Sequence, residues 1–546
     1  MHIASQREWA GRIVLGAALL AFLLESWGVS PQLDDSYITY RYARNLVEGS
    51  GLVYNLGERV EGFTNLLWTL IVAAGLWLGF EATLVGHAVG VACGLGALLA
   101  TVAYSRALLP ASSRWLGAAA AVAVLATTSF LRWSISGMET SLFTAAVTAA
   151  LAAGARERLG WATCFLCIAT LTRPDGALFA LIVYADALLR GASPARRVWG
   201  ASLAYGGVLI LLTAFRLGYY GDVVPNTFHA KVGGVPLRMG LYYLGSFLRD
   251  GAGLLLVPAA LAALRHPRCR AGAAAVAAVC AYVVAIGGDG FSQRFFVPIV
   301  PALAALAVQG AVTARAWSAS AGVAMALLGV AALWQLALGD LPILVVAGLT
   351  LAAALYTWRR RARPSPRMAL LGAGIAGLAL IGLAAAKPSS LQELSEQLLT
   401  PKRSRLLEET RRIDARFEAH GVSQARKLLA LDPAPELVAA AAIGSVGYHS
   451  RLPILDLFGL VDPTIAHQRT RAPEGAVRIA GHQRSHVEYV LARAPDIILI
   501  HRRQGPPDSW DHLTPAVEDL WAHASFDRDY VWDPEVGAYR RRAFTP

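Results

Sequence analysis

Charge is what this chain has least of. Only 16% of its 546 residues are Asp, Glu, Lys or Arg, against about a quarter in an ordinary soluble domain. The deficit is local: apolar stretches of about 17 to 22 residues recur from residue 13 to residue 386, each long enough to cross about 30 Å of hydrocarbon. Beyond Pro388 the composition is that of a soluble protein. Cysteine is nearly absent too. Cys93, Cys164, Cys167, Cys269 and Cys280 all lie in or beside apolar runs, which excludes a disulfide framework. Cys164 and Cys167 form a CxxC with no second pair nearby, so they read as inert core thiols. Missing as well are GxxxxGK[ST], HExxH and a nucleophile elbow, which removes P-loop, zinc-protease and serine-hydrolase chemistry. No small-residue cleavage site follows the first run, and Arg7 and Arg12 precede it, so it reads as an uncleaved signal anchor.

The formal charge of +12 comes from short arginine clusters between the apolar runs: Arg106 and Arg114, Arg156 and Arg158, Arg190 with Arg196 and Arg197, Arg265 with Arg268 and Arg270, Arg315, and Arg359 to Arg363. Such a distribution describes cytoplasmic loops, not a nucleic-acid face. It predicts spans at 13–29, 84–104, 115–131, 140–155, 159–171, 177–189, 198–215, 251–264, 271–287, 296–313, 318–337, 341–358 and 367–386. Residues 63–80, "FTNLLWTLIVAAGLWLGF", are apolar enough to cross, but a crossing there would put Arg106, Arg156 and Arg190 outside. That stretch is therefore predicted to be a re-entrant or interfacial helix. The expected architecture is an α-helical polytopic membrane domain over 1–387, with about 13 transmembrane helices, followed by an extracytoplasmic α/β domain over 388–546.

This orientation gathers the polar loops at the outer face: "DDSYITYRYARN" (34–45), "RWSISGMET" (132–140), "TRPDG" (172–176), "VVPNTFHAKVGG" (223–234) and "GGDGFSQRF" (287–295). Asp34 or Asp35 could cap the helix that follows, but capping needs only one carboxylate. Two acids beside Arg41 and Arg44 fit a base that takes a proton from a sugar hydroxyl while arginines neutralise a departing phosphate. The outer loops supply the acids Asp34, Asp35, Glu61, Glu139, Asp175 and Asp289 and the bases Arg41, Arg44, Arg132, Arg173, Lys231 and Arg294. As a set bordering apolar helices, these describe a lipid-phosphate site. His229 reads as structural or substrate-orienting rather than as a metal ligand. The acidic pair leaves a divalent cation open, Mg²⁺ or Ca²⁺ held through oxygen. Rival readings are a polytopic transporter or flippase of lipid-linked sugars, whose charges would sit near the bilayer midplane, and a non-catalytic membrane assembly protein.

The ordered set "DDSYITYRYARNLVEGSGLVYNLGERVEGFTNLLW", "SGMETSLF", "LTRPDGALFAL", "PNTFHAKVGG" and "GYHSRLPILDLFGLVDPTIAH" resembles the GT-C membrane glycosyltransferases, and within them the cell-wall arabinofuranosyltransferases and their bacterial relatives. The resemblance covers about residues 30 to 470. It implies a polyprenyl-phosphate sugar donor and an acceptor that is a glycan, a lipid or a protein. It also implies inversion at the sugar carbon, and an active site and C-terminal domain on the extracytoplasmic side of a bacterial inner membrane. By the same resemblance Asp34 is the base and Asp35 orients acceptor or base. Glu139 is the second external acid, and Arg173, Lys231 and Arg294 are phosphate ligands. Asn226, beside His229 in "PNTFHAKVGG", joins Glu61, Asp175 and Asp289 as substrate-binding candidates. The "PP" that many relatives carry after the first loop is replaced here by "EGFTN".

Overall fold

The computed structural model describes residues 2–28, 32–191, 193–231, 237–248, 266–291, 293–317, 402–468, 482–503 and 514–544. The spans expected at 251–264, 318–337, 341–358 and 367–386 lie outside these residues. The described membrane part consists of helices α1 (His2–Glu25), α2 (Asp34–Val47), α3 (Leu66–Trp77), α4 (Ala82–Leu108), α5 (Gly117–Leu125), α6 (Thr128–Ile135), α7 (Thr140–Ala155), α8 (Leu159–Thr172), α9 (Gly176–Arg190), α10 (Ala195–Tyr220), α11 (Asn226–Lys231), α12 (Leu237–Phe247), α13 (Arg270–Ile286) and α14 (Val300–Trp317). Among the described residues, four helical stretches are long and apolar enough to cross a bilayer: Ala82–Leu108, Ala195–Tyr220, Pro267–Ile286 and Arg294–Ala314.

One expected span is corrected. Residues 115–131 do not form a single helix: α5 stops at Leu125, and α6 leaves at an angle of 74°. Thr127 makes the break. Its backbone is extended, and its hydroxyl donates to the Val124 carbonyl, the local side-chain bonding with which threonine competes against helix continuation. The bend carries Arg132 and Trp133 toward the loops. Gly137, at φ +77°, then reverses the chain, a conformation costly for any residue with a Cβ, and its carbonyl accepts from Trp68 Nε1 at 2.9 Å.

The helices pack with polar ends segregated. Arg106 pairs with Glu8, Arg156 reaches the Ala103 carbonyl, Arg190 reaches that of Gly154, and His266 meets Thr313, all at one end. At the other end are the start of α2, Glu139, Arg173, Asp289 and the C-terminal domain. The helix α3 packs against α2 and returns into α4 at this second end, with Gly75 against Val85. Trp77, Leu78 and Phe80 at the turn are exposed, a surface suited to lipid. Along α4 a stripe of Gly86, Gly90 and Gly94 lets Tyr40, the Ser134 carbonyl and Phe22 come into direct contact with its backbone, the close approach that small residues permit in membrane helices.

The C-terminal part opens with α15 (Lys402–Leu429) and builds a five-stranded sheet, β1 (Val438–Ala440), β2 (Ile454–Asp456), β3 (Ile497–Leu499), β4 (Tyr530–Asp533) and β5 (Ala538–Arg541), in the order β2-β1-β3-β5-β4. The first three strands are parallel, with Val438 facing Ile454 and Ile497 in register, and β4–β5 is an antiparallel hairpin at one edge. β1 alternates: Val438 and Ala440 enter the cluster that includes Ile38 and Tyr42 of α2, while Ala439 faces the opposite cluster with Leu455 and Ile498. A short helix, α16 (Gly444–Ser450), follows β1 directly.

The helix α2 is thus covered on two sides. Tyr37, Tyr40 and Ala43 pack with Trp68, Val72 and Val85 of the membrane part, while Ile38 and Tyr42 pack with Val438, Val446 and Ile454 of the sheet domain.

Candidate functional site

The acidic pair occupies the first turn of α2, where carboxylates favour the helix dipole, yet neither side chain caps that helix. They diverge. The Asp34 carboxylate accepts from Ser445 N at 2.8 Å and Gly444 N at 3.0 Å, the free amides at the start of α16. A helix N-terminus after a parallel strand is a ready anion site, and here the anion comes from a residue 410 positions earlier. Burial pushes the Asp34 carboxyl up to about 6; the Ser445 and Gly444 amides pull it down, and Asp35 adds to the rise. The Asp35 side chain makes no hydrogen bond among the described residues, and it lies within electrostatic reach of Arg294.

Beneath Asp35 two ion pairs converge. Glu139, at the head of α7, is 4% exposed and accepts from Asn65 Nδ2 at 3.1 Å and from Arg173 Nη1 at 3.3 Å. Arg173 also grips Asp175 through Nε and Nη2, at 3.0 and 3.2 Å. Arg294 Nε donates to Asp289 at 2.6 Å. Both guanidinium groups lie over the Phe295 ring, Arg173 at 4.8 Å and Arg294 at 5.2 Å, so three loops distant in sequence meet at one place. Cation–π contact of this kind fixes a guanidinium without using its hydrogens. Arg294 keeps Nη1 and Nη2 without partners among the described residues, although the residue is only 5% exposed.

The other candidates go elsewhere. Arg41, expected at a phosphate, is 2% exposed and donates to the carbonyls of Tyr54, Gly447 and Leu452 and to Asn55. Arg44 donates to the Tyr448 carbonyl at 2.6 Å. Both fasten the first loop to the sheet domain, so neither joins the Arg173–Arg294 cluster. Arg132 pairs with Asp414 of α15 at 3.5 Å and lies 5.1 Å from the Trp133 ring, which Arg294 also approaches, at 5.7 Å. It therefore borders the cluster. Glu61 pairs with Arg216, and burial, opposed by Arg216, pushes its carboxyl up to about 7. Asn226 donates to the carbonyls of Gly459 and Leu460. His229 pairs with Asp222 at 3.0 Å. Lys231 is exposed at the end of α11, and among the described residues no contact brings it to Phe295.

What sequence reasoning missed is the contribution of the sheet domain: the amides of Gly444 and Ser445 on Asp34, and Glu418, which accepts from Tyr37 and from the Gln32 amide. "IGSVG" after an apolar strand was the available signal.

Comparison with known proteins adds names to this geometry. Residues 413–541 match a family model described as a domain of unknown function, DUF8728. The chain is 31% identical over 265 residues to a terminal β-(1→2)-arabinofuranosyltransferase of Mycobacterium tuberculosis, covering 45% of this chain and 42% of that one. It is 29% identical over 309 residues to the enzyme of the same name from Corynebacterium glutamicum, covering 47% and 44%. The chain therefore spans less than half the length of the curated relatives it matches. A crystal structure of ArnT from Cupriavidus metallidurans bound to undecaprenyl phosphate aligns over 81% of this chain and 85% of that one, with a TM-score of 0.48 and 15% identity. The chain is thus a membrane protein that resembles the arabinofuranosyltransferases in sequence.

Proposed function

We propose that this protein is an inverting membrane glycosyltransferase that moves a sugar, a pentose such as arabinofuranose, from a polyprenyl-phosphate donor to an extracytoplasmic acceptor. The observation that carries the reading is Arg294: a buried guanidinium, held by Asp289 and by ring contacts, with two terminal nitrogens that have no partner among the described residues, beside Arg173 and within electrostatic reach of Asp35. A fixed guanidinium fork matches a phosphate oxygen pair, and its place at the loop end of apolar helices suits a headgroup whose tail lies in the bilayer. Arg173 adds charge there, with three of its five N–H groups committed to Glu139 and Asp175.

In this reading the acceptor hydroxyl gives its proton to Asp34 as its oxygen bonds to the sugar C1. The bond from C1 to the phosphate oxygen breaks, and the lipid phosphate leaves with its charge on Arg294 and Arg173. Asp34 suits the base for two reasons. Its carboxyl, near 6, is ionised at neutral pH yet more basic than an ordinary aspartate. It is also the member of the pair turned away from Arg294, and an inverting attack comes from the face opposite the leaving group. Asp35, within electrostatic reach of Arg294, orients the donor. The arginine-rich opposite end supports reading that end as cytoplasmic and the site as extracytoplasmic.

The test is turnover in nanodiscs of a synthetic polyprenyl-phosphate pentose with an arabinan acceptor. Wild type should release polyprenyl phosphate and extend the acceptor, and Asp34→Asn should lower the rate by about 10² to 10⁴. Activity of Asp34→Asn within threefold of wild type, with Asp35→Asn inactive, would transfer the base to Asp35. Failure of wild type to bind or consume the lipid donor would remove the lipid-phosphate reading.

A further inference from the structure

His229 was read from the sequence as a lone histidine, but the fold does not leave it alone. Its Nε2 lies 3.0 Å from Asp222 Oδ2, in the loop that leads from α10 to α11. The ring of His467, which follows the helical turn Pro463–Ala466 of the sheet domain, stands at 88° to that of His229, with centroids 4.2 Å apart. One ligand atom from each of Asp222, His229 and His467 lies within 4.8 Å of the others. Among the described residues no other group of three His, Cys, Asp or Glu side chains meets that condition.

We propose that Asp222, His229 and His467 bind a divalent transition ion of the zinc class, which fastens the C-terminal domain to the loop before α11. The donor set decides the ion. Two imidazoles and one carboxylate suit Zn²⁺ and its borderline neighbours, whereas Mg²⁺ and Ca²⁺ prefer oxygen alone. Tetrahedral zinc with bonds of about 2.0 to 2.1 Å needs ligand atoms about 3.4 Å apart, so ligand atoms that now lie within 4.8 Å of one another close by at most about 1.4 Å, a movement open to the exposed His467 side chain. Three protein ligands leave a fourth position for water. A guanidinium beside these segments bonds backbone and not the ligand atoms: Arg484 donates to the carbonyls of His229, Ala230 and Gln468. Those bonds hold the two ligand-bearing segments together from the side, and Asn226 does the same through Gly459 and Leu460. The scaffold is therefore tied before any ion arrives, which reduces the ordering that binding must supply. The sequence hides the site because its third ligand lies 238 positions from His229 (467 − 229).

The simpler account is a His229–Asp222 ion pair with His467 edge-on, and it makes a different prediction. The full-length protein in detergent, stripped with chelator and then dialysed against zinc sulfate, should retain one zinc per chain by elemental analysis and should melt at a higher temperature than the stripped form. Magnesium should do neither. His467→Ala, a change at an exposed side chain, should fold and should weaken zinc binding by at least about a hundredfold, since outer-shell changes alone commonly cost 10- to 100-fold. Asp222→Asn should weaken it as well. Zinc well below one per chain in wild type, or equal retention by wild type and His467→Ala, would overturn the proposal. None of these readouts depends on sugar transfer, so the site stands or falls apart from the proposed activity.

Discussion

Asp34 and Asp35 differ by one position and face different partners, and this sets the predictions at the residue scale. If Asp34 is the proposed base, its carboxyl, pushed up to about 6, is inactive when protonated, so kcat/KM should be flat above about pH 7 and fall about tenfold per unit below about pH 5. A profile with no break between pH 5 and 7 would point away from Asp34. Arg294→Ala strands the Asp289 carboxylate, only 9% exposed, and loss of one partner from a buried pair costs about 3 to 5 kcal/mol. A double change, Arg294→Ala with Asp289→Ala, should recover much of that stability while donor affinity stays low. Recovery of donor affinity with the fold would show that Arg294 only neutralises Asp289. The residues that meet here, Glu139, Arg173 and Arg294, were legible because each sits in a short polar motif between apolar runs. Arg41 and Arg44 lie apart from that meeting, and nothing within α2 reveals what covers it: their hydrogens go to backbone carbonyls at 447, 448 and 452.

At the scale of elements, α2 and α16 form one joint. A Cβ on Gly444 would collide with the Asp34 carbonyl and press on its carboxylate. Gly444→Ala should therefore push α16 off α2, at a cost of about 1 to 3 kcal/mol, and lower activity with no change in any charged group. Hydrogen exchange at Ser445 N reads the same event directly, and protection unchanged from wild type would contradict it. Hydrophobic run length located most described helices to within a few residues. It could not locate the bend between α5 and α6, because two threonines in an apolar run carry no hydropathy signal; the bend depends on backbone bonding at Thr127. The sheet was legible only as apolar strands, since its order and the edge hairpin follow from tertiary pairing.

For the molecule as a whole, the sorting of arginine-rich loops to one end was readable, because charge and hydropathy are local properties and topology follows from them. Which side of the membrane each end faces is open to direct measurement: Glu535→Cys, at an exposed turn of the β4–β5 hairpin, should react with an impermeant maleimide in intact cells. Labelling only after permeabilisation would reverse the orientation. The bond from Asp34 to Gly444 and Ser445 also imposes an order in time. A ribosome that has delivered α2 must add some four hundred further residues before the amides that receive Asp34 exist. A chain arrested anywhere before the sheet domain would sit in the membrane with Asp34 unmatched, so this end of the molecule is not finished until the sheet domain has been made.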